Sequence, residues 1–168
     1  MKEGFTNYLK NKYAKNEVIG CEIGISSGVH VLQLLNNLNV KKLYMIDPYC
    51  KYVDGDGKIK SRRLKYFKMK KDLFKYRKKV KLIKKTSDDA VKFIPSGLDF
   101  IYVDGNHSYK NIHDDLYNYY SKLKIHGVLG GDDYGTCFEG IKKAVDEFAE
   151  DKQLELVVSG REFLMEVK

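Results

Sequence analysis

The feature that most constrains this chain is an alternation of short apolar runs with segments whose apolar residues recur at helical spacing. Residues 18–23, 43–46, 80–83, 100–103 and 128–130 read as five short buried strands. Between them, Val31, Leu34, Leu35 and Leu38, then Tyr66, Met69, Leu73, Tyr76 and Val80, then Ile112, Leu116, Tyr119 and Leu123 mark helices. A short opening helix is expected over residues 5–15, with Phe5, Leu9 and Tyr13 on one side, and another over 88–94. Thr136 and Glu139 form a capping-box pattern ahead of Ile141, Ala144, Val145 and Phe148. Two last runs, 154–158 and 163–167, flank Ser159-Gly160-Arg161 and predict an antiparallel hairpin. The order defines an α/β fold, doubly wound, whose mainly parallel seven-stranded sheet ends in an antiparallel β-hairpin.

A chain of 168 residues suits one compact domain, and no internal repeat or composition shift divides it. The first 16 residues are expected as a short N-terminal helix segment. Residues 49–57 read as a loop, and 49–65 is the best candidate for a lid over a substrate. No signal-type stretch or bilayer-length apolar run is visible, so a cytoplasmic protein without membrane attachment is expected. Cys21, Cys50 and Cys137 form no CxxC pair and are expected to stay reduced. Residues 58–85 hold 15 Lys/Arg against the single acid Asp72, in a chain whose net charge is +8. A lysine-rich solvated face is the preferred reading; a surface for phosphate, nucleic acid or an acidic glycan is the alternative.

Gly24-Ile25-Ser26-Ser27-Gly28, preceded by Glu22, lies between the first strand and the first long helix. Glycine there lets backbone approach a ligand and turn without a Cβ clash. The loop is not GxGxxG, since Ser26 stands at the middle position. A carboxylate at Glu22 repels a pyrophosphate but suits a cationic ligand such as S-adenosylmethionine (SAM), with its sulfonium and α-amino group. Asp47 ends the second strand, 19 residues past Gly28, where an acid can accept both ribose hydroxyls of a nucleoside.

At these residues the chain resembles the class I SAM-dependent methyltransferases, which share a Rossmann-like fold. The resemblance runs through Glu22-x-Gly24-x-x-x-Gly28, Met45-Ile46-Asp47-Pro48-Tyr49, residues 100–109 (FIYVDGNHSY) and residues 126–134 (HGVLGGDDY). The last two segments are most similar to the branch of small-molecule and sugar O-methyltransferases, some of them metal-dependent. The resemblance implies that Glu22, Gly24, Ser26 and Gly28 line the methionine end of SAM and Asp47 holds the ribose. Ser87 and Asp88 would lie near the adenine.

Asp104 follows the fourth strand, and Asp132 and Asp133 follow the fifth, so all three are expected at the same crevice. Converging carboxylates repel one another unless a cation joins them, and hard oxygen donors suit Mg²⁺ or a similar ion. Such an ion lowers the pKa of a substrate hydroxyl and aims it at the methyl group. The three aspartates match metal-ligand positions of the metal-dependent relatives, although Asp104 can equally serve SAM and Asp132-Asp133 can shape a turn. His107, three residues beyond Asp104, is the candidate base, with Asp104 beside it; metal ligation or a structural hydrogen bond are the alternatives. His30, His113 and His126 are expected in surface or packing roles.

Transfer of a methyl group to a hydroxyl of a small molecule or sugar, by a monomer or homodimer, is therefore the expected activity. The alternatives are ribose or other nucleic-acid methylation through residues 58–85, a non-catalytic SAM-binding domain, or another enzyme on a related scaffold. Base methylation is disfavoured: Pro48 and Pro95 are the chain's two prolines, and neither follows the fourth strand, where base-modifying relatives carry a proline signature.

Overall fold

The computed structural model describes residues 4–168; residues 1–3 of the expected N-terminal segment lie outside the described residues. Helix α1 (Phe5–Tyr13) leads into β1 (Val18–Ile23), α2 (Val29–Asn37) and β2 (Val40–Ile46). A small hairpin follows, β3 (Lys51–Val53) and β4 (Ile59–Ser61), and then α3 (Arg63–Asp72) and β5 (Val80–Ile83). The one-turn helix α4 (Ser87–Ala90) precedes β6 (Leu98–Val103), α5 (Tyr109–Tyr120), β7 (Leu123–Gly131) and α6 (Glu139–Asp151). Strands β8 (Val157–Ser159) and β9 (Glu162–Glu166) close the fold.

The main sheet has seven strands in the order β5-β2-β1-β6-β7-β9-β8. Strands β5, β2, β1, β6 and β7 run parallel, β9 is antiparallel to β7, and β8 pairs antiparallel with β9. This is the doubly wound sheet with a closing hairpin that the apolar alternation predicts. All six residues of β6 are buried, as a central strand covered on both faces requires. One face packs α5 and α6 through Leu116, Tyr119, Val145 and Phe148. The other packs α1, α2 and α3 through Phe5, Leu34, Leu35 and Met69. Strand order reverses between β1 and β6, which puts the switch point of the sheet, where a crevice is expected, at the C-terminal ends of these strands.

Four local expectations differ. Residues 49–57 are not simply a loop: β3 and β4 pair from Lys51↔Ser61 to Val53↔Ile59, an exposed ribbon whose side chains carry almost no buried pattern to read. The basic helix ends at Asp72 rather than continuing to Val80, because Leu73 tightens into a 3₁₀ turn over Phe74–Tyr76. Leu123 opens β7 instead of closing α5. The capping box does not form, since α6 starts after Phe138 without a side-chain cap, and the Thr136 hydroxyl donates to the Asp133 carbonyl at 2.8 Å. No helix among the described residues is long and apolar enough to cross a membrane, and the three thiols are free.

Candidate active site

The crevice is built first by backbone. Gly24 sits at φ +90°, and a Cβ there would lie 1.8 Å from the Asp104 carbonyl oxygen, so only glycine lets the loops after β1 and β6 cross this closely. The Gly24 amide donates to Ile46 and the Asp104 amide to Ile23, each at 2.8 Å, which locks the two loops to the strand ends. Three non-glycine residues hold left-handed conformations here: Ser26 at φ +52°, Tyr49 at +50° and Asp133 at +64°. Each costs on the order of 1 kcal/mol or more, and such strain gathers where function fixes the backbone.

Asp47 joins two of these loops. Its carboxylate accepts from the Ser26 amide at 2.9 Å and the Tyr49 amide at 2.7 Å, tying the glycine loop to the turn after β2. Asp47 lines a cleft of about 140 Å³, open to solvent, whose apolar walls are Ile23, Ile46 and Pro48. Gly24, Thr86, Ser87 and Gly105 add backbone and small side chains, and Arg62 adds a guanidinium whose Nε and Nη2 donate to the Tyr52 hydroxyl at 3.1 and 2.6 Å.

Of the residues expected around a nucleoside ligand, Gly24, Asp47 and Ser87 line this cleft. Others support it from behind. Ser26 turns its hydroxyl to the Lys65 ammonium at 3.0 Å, and Gly28 caps α2 at φ +77° beneath Met69 and Leu73. Asp88 points outward and is exposed, while Thr86 takes the cleft position one residue before Ser87. Glu22 is 1 % exposed and hydrogen-bonded to His30 Nδ1 at 3.0 Å. Burial raises the Glu22 pKa against the pull of His30, whereas the Glu22 charge and hydrogen bond raise that of His30 against burial. The pair therefore joins the β1 end to the start of α2, and the His30 ring also packs on Phe5 and Tyr102, which fits the expected packing role.

Beyond the Gly105–Asn106 wall, the loops after β6 and β7 meet. His107 Nε2 lies 3.2 Å from Asp133 Oδ2 and 3.6 Å from Asp104 Oδ1. It is one of two buried side-chain polar atoms without a hydrogen bond among the described residues; the other is Asp115 Oδ1. The opposite ring nitrogen, Nδ1, is held by both Asp54 carboxylate oxygens at 3.0 and 3.1 Å, and Asp54 also accepts from the His107 amide. Phe138 stacks on the ring at 4.4 Å. Burial works against protonating His107, but Asp104, Asp54 and Asp133 outweigh it and raise the pKa. Asp133 is itself raised, chiefly by burial, against the pull of His107 and Arg161. A carboxylate oxygen of Asp104, a carboxylate oxygen of Asp133 and a His107 nitrogen lie within 4.8 Å of one another, a group that could hold a divalent ion. Asp132 stands apart from the three: its Oδ1 accepts from Arg161 Nε at 2.6 Å, and Arg161 Nη2 reaches Asp133 Oδ1 at 2.5 Å.

Sequence reasoning missed Asp54, Arg161 and Asp115. Asp54 comes from the β3–β4 turn, where Gly55 packs so close that a Cβ would meet the His107 carbonyl at 2.4 Å. That glycine was the available signal. Arg161 comes from the β8–β9 turn, over 25 residues from its partners, and no local pattern links them.

A Rossmann-like sheet, a glycine loop tethered to a strand-end acid and a carboxylate–histidine cluster across the crevice together define the class: a class I methyltransferase fold. Residues 21–134 match the family model described as a methyltransferase domain, and the chain belongs to that family of SAM-dependent methyltransferases. An uncharacterized protein of Acanthamoeba polyphaga mimivirus is 28% identical over 134 residues, 75% of this chain and 56% of that one. The chain thus spans little more than half the length of that relative. Among solved structures, SMU.1697c of Streptococcus mutans, assigned as a methyltransferase and solved with S-adenosylhomocysteine (SAH), superposes with a TM-score of 0.72 at 17% identity, covering 99% of this chain and 98% of that one. The O-methyltransferase NovP gives 0.69 at 18% identity, covering 97% and 76%. A Bacillus cereus O-methyltransferase solved with SAH gives 0.70 at 14%, covering 97% and 78%.

Proposed function

We propose that this protein transfers the methyl group of SAM to a hydroxyl of a small molecule or sugar, with His107 accepting the hydroxyl proton. The observation that carries this reading is the His107 imidazole, whose Nδ1 is held by Asp54 and whose Nε2 has no hydrogen bond and faces Asp104 and Asp133. Asp54 fixes the tautomer, keeping the proton on Nδ1 and leaving Nε2 as the basic atom. Asp104 and Asp133 favour the imidazolium once the proton has moved, which offsets the charge that builds as the acceptor oxygen attacks. The methyl is already activated by the sulfonium, so the remaining task is alignment and exclusion of water. Gly24 and Asp47 would fix the cofactor, and the β3–β4 hairpin would cover the acceptor. O-methyl transfer by two solved structures of this fold supports the choice of a hydroxyl acceptor.

Asp104, His107 and Asp133 also fit a divalent ion, because two carboxylate oxygens and an otherwise unbonded ring nitrogen converge on one point. With an ion bound there, His107 Nε2 would be its ligand and not the proton acceptor, and Mg²⁺ or a similar ion would instead lower the pKa of an acceptor hydroxyl. Asp132 would then serve by orienting Arg161 against Asp133 rather than as a ligand.

The test is transfer of labelled methyl from SAM to a panel of catechols, phenols, aminosugars and deoxysugars, with Mg²⁺ and with a chelator. Label in an O-methyl product supports the reading. Label confined to amine or carbon products across the panel would count against it. The exposed lysines of α3 favour a second reading, ribose methylation of RNA, which requires affinity that falls steeply with salt.

A further inference from the structure

We propose that the outer face of α3, with the β3–β4 hairpin before it, docks this protein on an anionic lipid bilayer.

Helix α3 and the turn after it carry two apolar rows. Tyr66, Met69 and Leu73 pack inward against the core that holds α1 and α2. Leu64 and Phe67 stand on the opposite side of the helix, and Phe74 follows them in the 3₁₀ turn. These three are 84, 60 and 66 % exposed. Just before α3, Val53 and Ile59 pair directly across the hairpin and are exposed as well, whereas Tyr52 turns the other way and lines the cleft. Five of the nine large apolar side chains exposed among the described residues thus fall between residues 53 and 74. Scattered singly, such residues need no explanation; gathered on adjoining elements, they mark a contact surface.

Charge identifies what that surface meets. Residues 58–85 hold 15 Lys/Arg against Asp72 alone, while acids outnumber bases over the rest of the chain. On α3, Lys68 pairs with Asp72, but Arg63, Lys70 and Lys71 have no acid within ion-pair distance among the described residues. Cations flanking an apolar row fit a partner with negative headgroups over a hydrocarbon interior. Nucleic acid matches the charge but not the row. Leu64 and Ile59, the most exposed of the five, offer no ring for a base to stack on, and the Arg77 guanidinium already lies over the Phe74 ring at 4.8 Å. Docking of this kind is peripheral: side chains enter the headgroup layer and no segment crosses the bilayer.

Cosedimentation of the full chain with phosphatidylcholine vesicles, with and without phosphatidylserine at about a third of the lipid, tests this. The wild type should bind the anionic vesicles at least about tenfold more tightly than the neutral ones. The double variant Leu64→Ser, Phe67→Ser removes no charge and no buried side chain. It should melt like the wild type yet bind anionic vesicles about 10- to 100-fold more weakly. No binding, equal binding to both vesicle types, or undiminished binding by the double variant would each overturn the proposal, the last leaving only a solvated basic face. Release of the wild type from anionic vesicles by single-stranded RNA at matched phosphate concentration would also overturn it and assign the surface to nucleic acid.

Discussion

At the scale of single residues, two buried side-chain polar atoms among the described residues, His107 Nε2 and Asp115 Oδ1, stand without hydrogen bonds. For His107, truncation to Ala should lower kcat on the best acceptor by about 10²–10⁴ while leaving SAH affinity within a fewfold, because the ring acts on the acceptor rather than on the nucleoside. Asp54→Asn should give a smaller loss, since orientation is weakened but the imidazole remains. Single-turnover kinetics and SAH titration on both variants check this, and a parallel collapse of cofactor affinity would contradict it. For Asp115, ionisation in the folded state is disfavoured, so the native protein keeps a proton that the unfolded chain releases. Its contribution is unpenalised below about pH 4, declines as pH rises toward about 7, and is constant above that. Asp115→Asn removes the penalty, worth at most roughly 4 kcal/mol. Urea denaturation should therefore show the variant gaining on the wild type between pH 4 and pH 7; a difference independent of pH would contradict the assignment.

At the scale of elements, the strands were legible because each of β1, β2, β5 and β6 is an apolar run bounded by turn residues, and the expected bounds of β1 and β5 match. Asp104, His107 and Asp133 were legible as candidates because each follows a strand end. Their supports were not. The β3–β4 hairpin has exposed strands without a periodic apolar face, and Asp54 acts across 53 residues of sequence. Arg161 reaches Asp132 and Asp133 only because β9 returns beside β7. The capping-box pattern misled because Thr136 bonds back to the Asp133 carbonyl, a local competitor for the helix start. The glycine loop carries the sharpest prediction at this scale. Gly24→Ala places a Cβ against backbone that cannot rotate away, so stability should fall by roughly 2–4 kcal/mol and SAH affinity by tenfold or more. A variant with wild-type melting and SAH binding would show that the loops after β1 and β6 do not need this contact.

At the scale of the whole molecule, charge and fold are separable. The sheet and its two cores take β5, Met69, Leu73 and Ile83 from the basic segment, but most of its lysines and arginines are exposed and lie outside both cores. If that segment serves only as a solvated face, affinity for a structured RNA should be weak at 50 mM salt and gone at 200 mM, and a Lys70→Glu, Lys71→Glu double variant should keep its methyl-transfer activity. Tight RNA binding lost in the double variant would instead favour the ribose-methylating reading.

The account stands on the crevice between the loops after β1 and β6 being a SAM site. Calorimetric titration of the wild type and of Asp47→Ala with SAH tests this directly. Saturable one-to-one binding by the wild type, weakened at least tenfold in a folded Asp47→Ala, is the predicted result; no heat of binding in the wild type, or equal affinity in the two proteins, would contradict it.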